Sequence, residues 1–192
     1  MIDIGRFKAN KDIDFEGWLE ARRGGVTATQ VAKAATPSGF DEAVEEIRSP
    51  TQIPDNAYMK FGRDQEGWIG LSLMKFGVLP NEWLIAHEDN PRYLATPDGL
   101  SLTHETISEV KTTGKDWGDK IPIQYRRQVQ WQMFVTGAAQ CVFAWMLRVD
   151  SVGGFVPGWF EPKVIEIDRD EKMIQELSEV ADRLLGVMEG GF

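Results

Sequence analysis

The chain has one cysteine, Cys141, in 192 residues. A single thiol excludes an intrachain disulfide and any cysteine-based zinc or iron–sulfur centre within one chain. Long apolar runs are missing too: none approaches the roughly 18 residues that a membrane-spanning helix needs. The N-terminus, Met1-Ile-Asp-Ile-Gly-Arg6, lacks the charged-then-apolar layout of a secretory signal, so the expected setting is the cytoplasm. Internal repeats and low-complexity tracts are absent. Positive charge is short, with 21 Lys and Arg against 30 Asp and Glu, a net −9. That balance argues mildly against a nucleic-acid binder. It does not exclude one, because salt screens charges over about 8 Å and the near field of a local basic groove dominates. The two histidines, His87 and His104, have no neighbours that suggest catalysis and are expected at the surface.

What is present suits one globular domain over 1–192. Hydrophobic residues make up 42% of the chain and charged residues 27%. Residues 1–14 are polar and mixed and read as a loosely held lead-in. Apolar spacing predicts helices over 15–23, 40–47, 56–76, 123–137 and 168–188. In the stretch 56–76, Met59, Trp68, Leu71, Leu73, Met74 and Phe76 are the candidate core. A further short helix begins at Thr27 or Thr29, either of which can cap it. Its start, beside Arg22 and Arg23, reads equally as a phosphate seat and as an ordinary helix corner. The turn at 36–39 and the break at 49–54 carry Pro and Gly. Strands are expected over 82–87, 93–95, 107–113, 139–149 and 163–167. The order predicts an α/β sandwich on a mixed sheet flanked by helices.

The chemistry concentrates in two neighbouring segments, Thr96-Pro97-Asp98-Gly99-Leu100 and Glu109-Val110-Lys111. Two residues apart on a strand, Glu109 and Lys111 share a face. Pro-Asp-Gly is a turn signal, and a hairpin between 93–95 and 107–113 brings Asp98 beside Glu109. Adjacent carboxylates repel unless a cation sits between them, and oxygen ligands favour Mg²⁺ or Mn²⁺. A lysine there can hold or activate a water. Other stretches carry weaker signals. Glu66 lies among apolar neighbours and reads either as an inward carboxylate needing a partner or as a surface residue. Gln128 and Gln132 share a helix face with Tyr125 and Val135, and buried amides require partners. Arg126 and Arg127 lie off that face, within reach of a phosphate or a neighbouring subunit. The loop with Lys115, Trp117 and Lys120 reads as a nucleic-acid contact, a lid, or a connection with a packed tryptophan.

Five blocks in one order give these signals a common source. They are Arg22-x-x-Gly25-Val-Thr-Ala-Thr29, Gly62-Arg-Asp-Gln-Glu66, Ala95-Thr96-Pro97-Asp98-Gly99-Leu100, Glu109-Val-Lys111 and Tyr125-Arg-Arg-Gln128-Val-Gln130. Over residues 15–188 the chain resembles the lambda-exonuclease-type, YqaJ-like viral recombinase family within the PD-(D/E)xK nuclease superfamily. Thr29 and Thr96 stand where that family often has serine, and the hydroxyl is kept. Between 35 and 56 the segment is short, with Arg48 its only further arginine for phosphate.

The resemblance implies a restriction-endonuclease-like α/β core and a Mg²⁺-dependent exonuclease, with Mn²⁺ able to substitute. The implied reaction digests linear duplex DNA 5′ to 3′, leaving 3′ tails for phage recombination by strand annealing. Asp98, Glu109, the Val110 carbonyl and Glu66 are the implied metal ligands. Lys111 and Gln128 complete the catalytic set, and Arg22, Thr29 and Thr96 the phosphate seat. Tyr125, Arg126, Arg127, Lys115 and Trp117 are candidate DNA contacts. A trimeric ring, a phage single-strand annealing partner and the bacterial host cytoplasm follow from the same resemblance. Two alternatives use the same core: an endonuclease of restriction or junction-cleaving type, and a catalytically silent DNA-binding scaffold. The scaffold reading fits less well, because Asp98, Glu109 and Lys111 are all present.

Overall fold

A computed structural model of the chain describes residues 2–50 and 54–190. The sixteen regular elements, short 3-10 turns aside, run β1 (Phe7–Asn10), α1 (Phe15–Arg23), β2 (Val26–Thr27), α2 (Ala28–Ala34), α3 (Pro37–Arg48), α4 (Ala57–Ser72), β3 (Val78–Pro80) and β4 (Trp83–Ala86). They continue with β5 (Tyr93–Ala95), β6 (Gly99–Ser101), β7 (Thr106–Thr113), α5 (Ile123–Thr136), β8 (Gln140–Ser151), β9 (Gly154–Pro157), β10 (Lys163–Asp168) and α6 (Glu171–Glu189). The strands form two mixed sheets rather than one. A four-stranded sheet has the order β1-β4-β5-β2. A six-stranded sheet runs β10-β8-β7-β6-β3, with β9 as a hairpin on the far end of β8. None of the described helices is long and apolar enough to cross a membrane.

The six-stranded sheet is the frame for the site. β7 and β8 are parallel and are joined through α5, the crossover that parallel neighbours require. β8 is apolar on both faces. Cys141, Phe143 and Trp145 pack with Val129 and Met133 of α5, while Val142, Ala144 and Met146 pack with Ile69 and Leu73 on the α4 side. That continuous burial marks a strand covered on both sides. A third cluster joins α2, α5 and α6 with β2 and β5. α6 turns Ile174, Leu177, Val180, Leu184 and Leu185 inward, all buried, with Met173 half-buried beside them.

Several expectations need correction. The lead-in is built into the fold. Its strand β1 pairs with β4, Arg6 donates from Nε to the Ala86 carbonyl at 2.8 Å and from Nη2 to the Val135 carbonyl, and the Ile2 N–H donates to His104 Nδ1 at 2.6 Å. His104 is therefore half-buried, as is His87, whose ring lies 4.3 Å from that of Phe134. Burial lowers the pKa of both imidazoles. The 36–39 segment opens α3 instead of forming a turn. Thr36 accepts from the Gly39 N–H at 3.2 Å, and Pro37 takes a first-turn position that needs no N–H. The expected break at 49–54 falls in part on 51–53, outside the described residues. In α4 the core-facing row is Phe61, Ile69 and Leu73, at multiples of four residues. Met59, Trp68, Leu71, Met74 and Phe76 therefore rotate outward and are exposed.

Candidate active site

The expected hairpin is differently paired, yet it places the same residues together. β7 pairs with β6, Gly99 opposite Ser108 and Leu100 opposite Ile107. β5 belongs to the other sheet, beside β4 and β2. Asp98 thus stands where the chain passes from one sheet to the other. Gly99 is required there, because a Cβ would come within 2.3 Å of Ser108 Oγ. Asn81, which is buried, holds the passage: its backbone N–H donates to the Asp98 carbonyl at 3.0 Å and its Nδ2 to the Pro97 carbonyl at 2.8 Å. Asp98 Oδ2 in turn accepts from the Val110 N–H at 2.6 Å, just past the point where β6 ends. The N–H and C=O of a strand residue lie along the same edge, so the Val110 carbonyl also faces this open edge.

Glu109 is the centre of the hydrogen bonding. It is 1% exposed. Its Oε1 accepts from Lys111 Nζ and from Gln128 Nε2, the latter at 2.5 Å. Its Oε2 accepts from Gln132 Nε2 at 2.7 Å. The two glutamines act together because they are four apart on α5. Gln128 therefore holds Glu109. Gln132 Oε1 is buried with no hydrogen-bond partner among the described residues.

The electrostatics follow from burial and like charge. Burial, then the neighbouring Glu109, push the Asp98 carboxyl well above its usual range. Burial alone lowers the pKa of the Lys111 ammonium, but Glu109 and Asp98 outweigh it and hold the group above an ordinary lysine. In this arrangement Lys111 is a charged donor to Glu109. Its Nζ also lies 5.6 Å from the Tyr125 ring centroid.

These groups open on a cavity of about 190 Å³ lined by Arg22, Thr29, Glu66, Thr96, Asp98, Glu109, Lys111 and Gln128. The structure therefore gathers nearly the whole expected set, from α1, α2, α4, the β5–β6 passage, β7 and α5. Arg22 stacks on the Trp18 ring, with Cζ 4.4 Å from its centroid. Burial lowers its pKa, and its guanidinium has no carboxylate partner among the described residues. Val110 lines an adjoining groove. Among the candidate DNA contacts, Tyr125 and Arg127 line a neighbouring groove that includes Thr29 and Gln128. Arg126 and Lys115 are exposed. Trp117 is packed against Tyr125, Phe143 and Trp145. Asp116 beside it pairs with Lys163 at 2.8 Å, which ties the loop down.

The cavity also holds residues that the sequence did not single out. Lys11 and Glu82, paired at 3.4 Å, form one wall. Burial raises the Glu82 carboxyl against the opposing pull of Lys11. Asn81, Trp18 and Gln132 also line it. Only Gln132 gave a signal, its spacing from Gln128.

No group of three or more His, Cys, Asp or Glu side chains among the described residues encloses a metal ion by itself. The carboxylates of Asp98 and Glu109 face the cavity, the Val110 carbonyl lies on the adjoining groove, and the Lys111 ammonium stands beside Glu109. That set fits a hard divalent cation that keeps waters in its shell.

Fold and site together define a nuclease of the PD-(D/E)xK type. The model of the YqaJ-like viral recombinase domain matches residues 17–139, and the chain belongs to that family. Among solved structures, an alkaline exonuclease (LHK-Exo) from Laribacter hongkongensis is similar at 26% identity and a TM-score of 0.73. That match covers 91% of this chain and 93% of the other. The same enzyme in complex with dAMP gives a TM-score of 0.68. A phage-related exonuclease from Haemophilus somnus 129PT shares the fold, with a TM-score of 0.65 at 16% identity over 85% and 92% of the two chains. No curated protein matches the chain in sequence.

Proposed function

We propose that the protein digests one strand of linear duplex DNA from its 5′ end, leaving a 3′ single-stranded tail for recombination by strand annealing. The observation that carries this reading is the meeting of Asp98, Glu109 and Lys111 with Arg22, Thr29 and Thr96 on one cavity. Asp98, Glu109 and the Val110 carbonyl would hold Mg²⁺, or Mn²⁺ in its place, with Glu66 of α4 as a further ligand. Bound there, the cation supplies Lewis acidity toward the scissile phosphate and lowers the pKa of its water.

The protein's own groups do the rest. Lys111 donates to the attacking water and to a phosphate oxygen, and its fixed charge offsets the negative charge that builds there. Gln128 and Gln132 fix the Glu109 carboxylate, so its geometry does not depend on the cation alone. Arg22 is held flat on Trp18 without an anion, so a terminal phosphate completes it bidentately. Thr29 and Thr96 add hydroxyl donors. A relative 26% identical is solved in complex with dAMP, which supports a protein that takes a nucleoside monophosphate.

The assembly is a trimeric ring in the bacterial cytoplasm, working with a phage single-strand annealing protein. The exposed Trp68, Leu71 and Met74 offer an apolar surface for subunit contact. A monomer in sedimentation at micromolar concentration contradicts the ring.

Covalently closed circular DNA separates this reading from an endonuclease. With Mg²⁺, one strand of linear duplex is released as mononucleotides, the other is left single-stranded, and the closed circle stays intact; EDTA stops the reaction. Nicking of the circle establishes an endonuclease instead. No cleavage of either with Mg²⁺ or Mn²⁺ establishes the silent scaffold.

A further inference from the structure

The catalytic carboxylates stand at a waist between two cavities. The first is the 190 Å³ cavity containing Arg22. The second, about 430 Å³, lies toward the α4 face and is lined by Tyr58, Thr112 and Arg148. Glu66, Asp98 and Lys111 line both. The reason is topological. The pairing of β6 with β7 stops at Gly99 opposite Ser108, so β6 leaves the edge of β7 beyond Ser108 uncovered, and Glu109 faces α5 while Val110 and Thr112 face α4. A chain laid over Asp98 and Lys111 therefore continues from one face of the sheet to the other.

Arg148 stands in that second groove. Its Cζ lies 4.3 Å from the Tyr58 ring centroid and 5.1 Å from that of Phe155, and these two rings are themselves stacked at 5.1 Å. Several other arginines are committed. Arg6 binds backbone carbonyls, while Arg63, Arg92 and Arg169 pair with Asp55, Glu189 and Glu171. Arg148 has no carboxylate and no hydrogen-bond acceptor among the described residues. Aromatic stacking orients a guanidinium without neutralising it and leaves its N–H fork for an anion. Arg22 on Trp18 shows the same arrangement on the other side of the waist.

The geometry points to Arg148, held by Tyr58 and Phe155, as a seat for a DNA phosphate on the 3′ side of the scissile bond. This rests on the exonuclease reading, in which Arg22 takes the 5′ phosphate and the bond over Asp98 is cut. The backbone that continues past the waist belongs to the strand not yet digested, and Arg148 grips it. Its contact is with phosphate, so it is independent of sequence and of the state of the 5′ end.

The test compares the parent with Arg148→Ala and Arg148→Lys on linear duplexes bearing either a 5′ phosphate or a 5′ hydroxyl, with Mg²⁺. Arg148→Ala raises KM about tenfold on both ends, changes kcat less than about twofold, and lowers the slope of log affinity against log salt by about one. Arg148→Lys recovers the salt slope and part of the KM, since it keeps the charge and loses the fork. Melting temperatures unchanged by both substitutions separate this from a structural role. A parent that digests DNA, with an Arg148→Ala variant equal to it in KM and salt slope, overturns the assignment alone. So does a variant whose loss appears only with a lowered melting temperature or only on phosphorylated ends. A parent that neither binds nor digests duplex overturns the nuclease reading, and this one with it.

Discussion

Glu109 accepts hydrogen bonds from three side chains at once, and Gln132 is the one of the three whose removal separates function from stability. Gln132 gives Glu109 a donor at 2.7 Å while its own Oε1 stays buried and unpaired. Losing a hydrogen bond to a charged group costs about 2 kcal/mol, and removing a buried orphan acceptor returns a similar amount. Gln132→Leu is therefore expected to move the melting temperature by less than about 4 °C. Its kcat on linear duplex falls about tenfold, because Glu109 loses one of its fixed orientations. A kcat equal to the parent's shows that Gln128 and Lys111 hold Glu109 alone. At this scale the sequence was informative wherever a short period links the residues. Glu109 and Lys111 are legible from a strand's period of two, and Gln128 with Gln132 from a helix's four. Asn81, Glu82 and Lys11 were not, because they reach the cavity through tertiary pairing and belong to no periodic pattern.

At the scale of elements, the N-terminal segment changes standing most. The sequence there, Ile4-Gly5-Arg6-Phe7-Lys8, shows neither period, and a four-residue strand is too short to display one. What fixes it is long-range: β1 on β4, and Arg6 bridging the Ala86 and Val135 carbonyls. Arg6→Ala strands both carbonyls in a half-buried place. It is expected to cost about 2 kcal/mol and to lower the melting temperature by about 6 °C. An unchanged melt shows that β1 is held by backbone pairing alone. The hairpin partner of β7 was misjudged for a related reason. Three-residue strands such as β5 and β6 carry no register information of their own. Gly99 decides it, since only glycine admits the approach of Ser108 and Val78. The long elements α5, β8 and α6 were legible because each buries a stripe or both faces over many residues. The outward turn of α4 was not, since its apolar residues do not mark a single face.

For the whole molecule, the net −9 is an average that hides where the unpaired cations lie. Arg22 and Arg148 stand on either side of the carboxylates, each stacked on aromatics, while many of the other cations are spent on surface carboxylates. Such exposed pairs add little stability but do leave the stacked arginines as the distinctive positive points near the site. The class of reaction was thus legible in five short motifs, whereas the path of a strand through the molecule emerges only from the fold. The most direct measurement is digestion of a 5′-phosphorylated linear duplex labelled at one 5′ or one 3′ end, run with Mg²⁺ on the parent and on Lys111→Ala. The parent is expected to release the 5′ label first, as a mononucleotide. Lys111→Ala is expected to fall at least about a hundredfold in rate with an unchanged circular dichroism spectrum. A variant that digests like the parent, or a parent that releases the 3′ label first, contradicts the account.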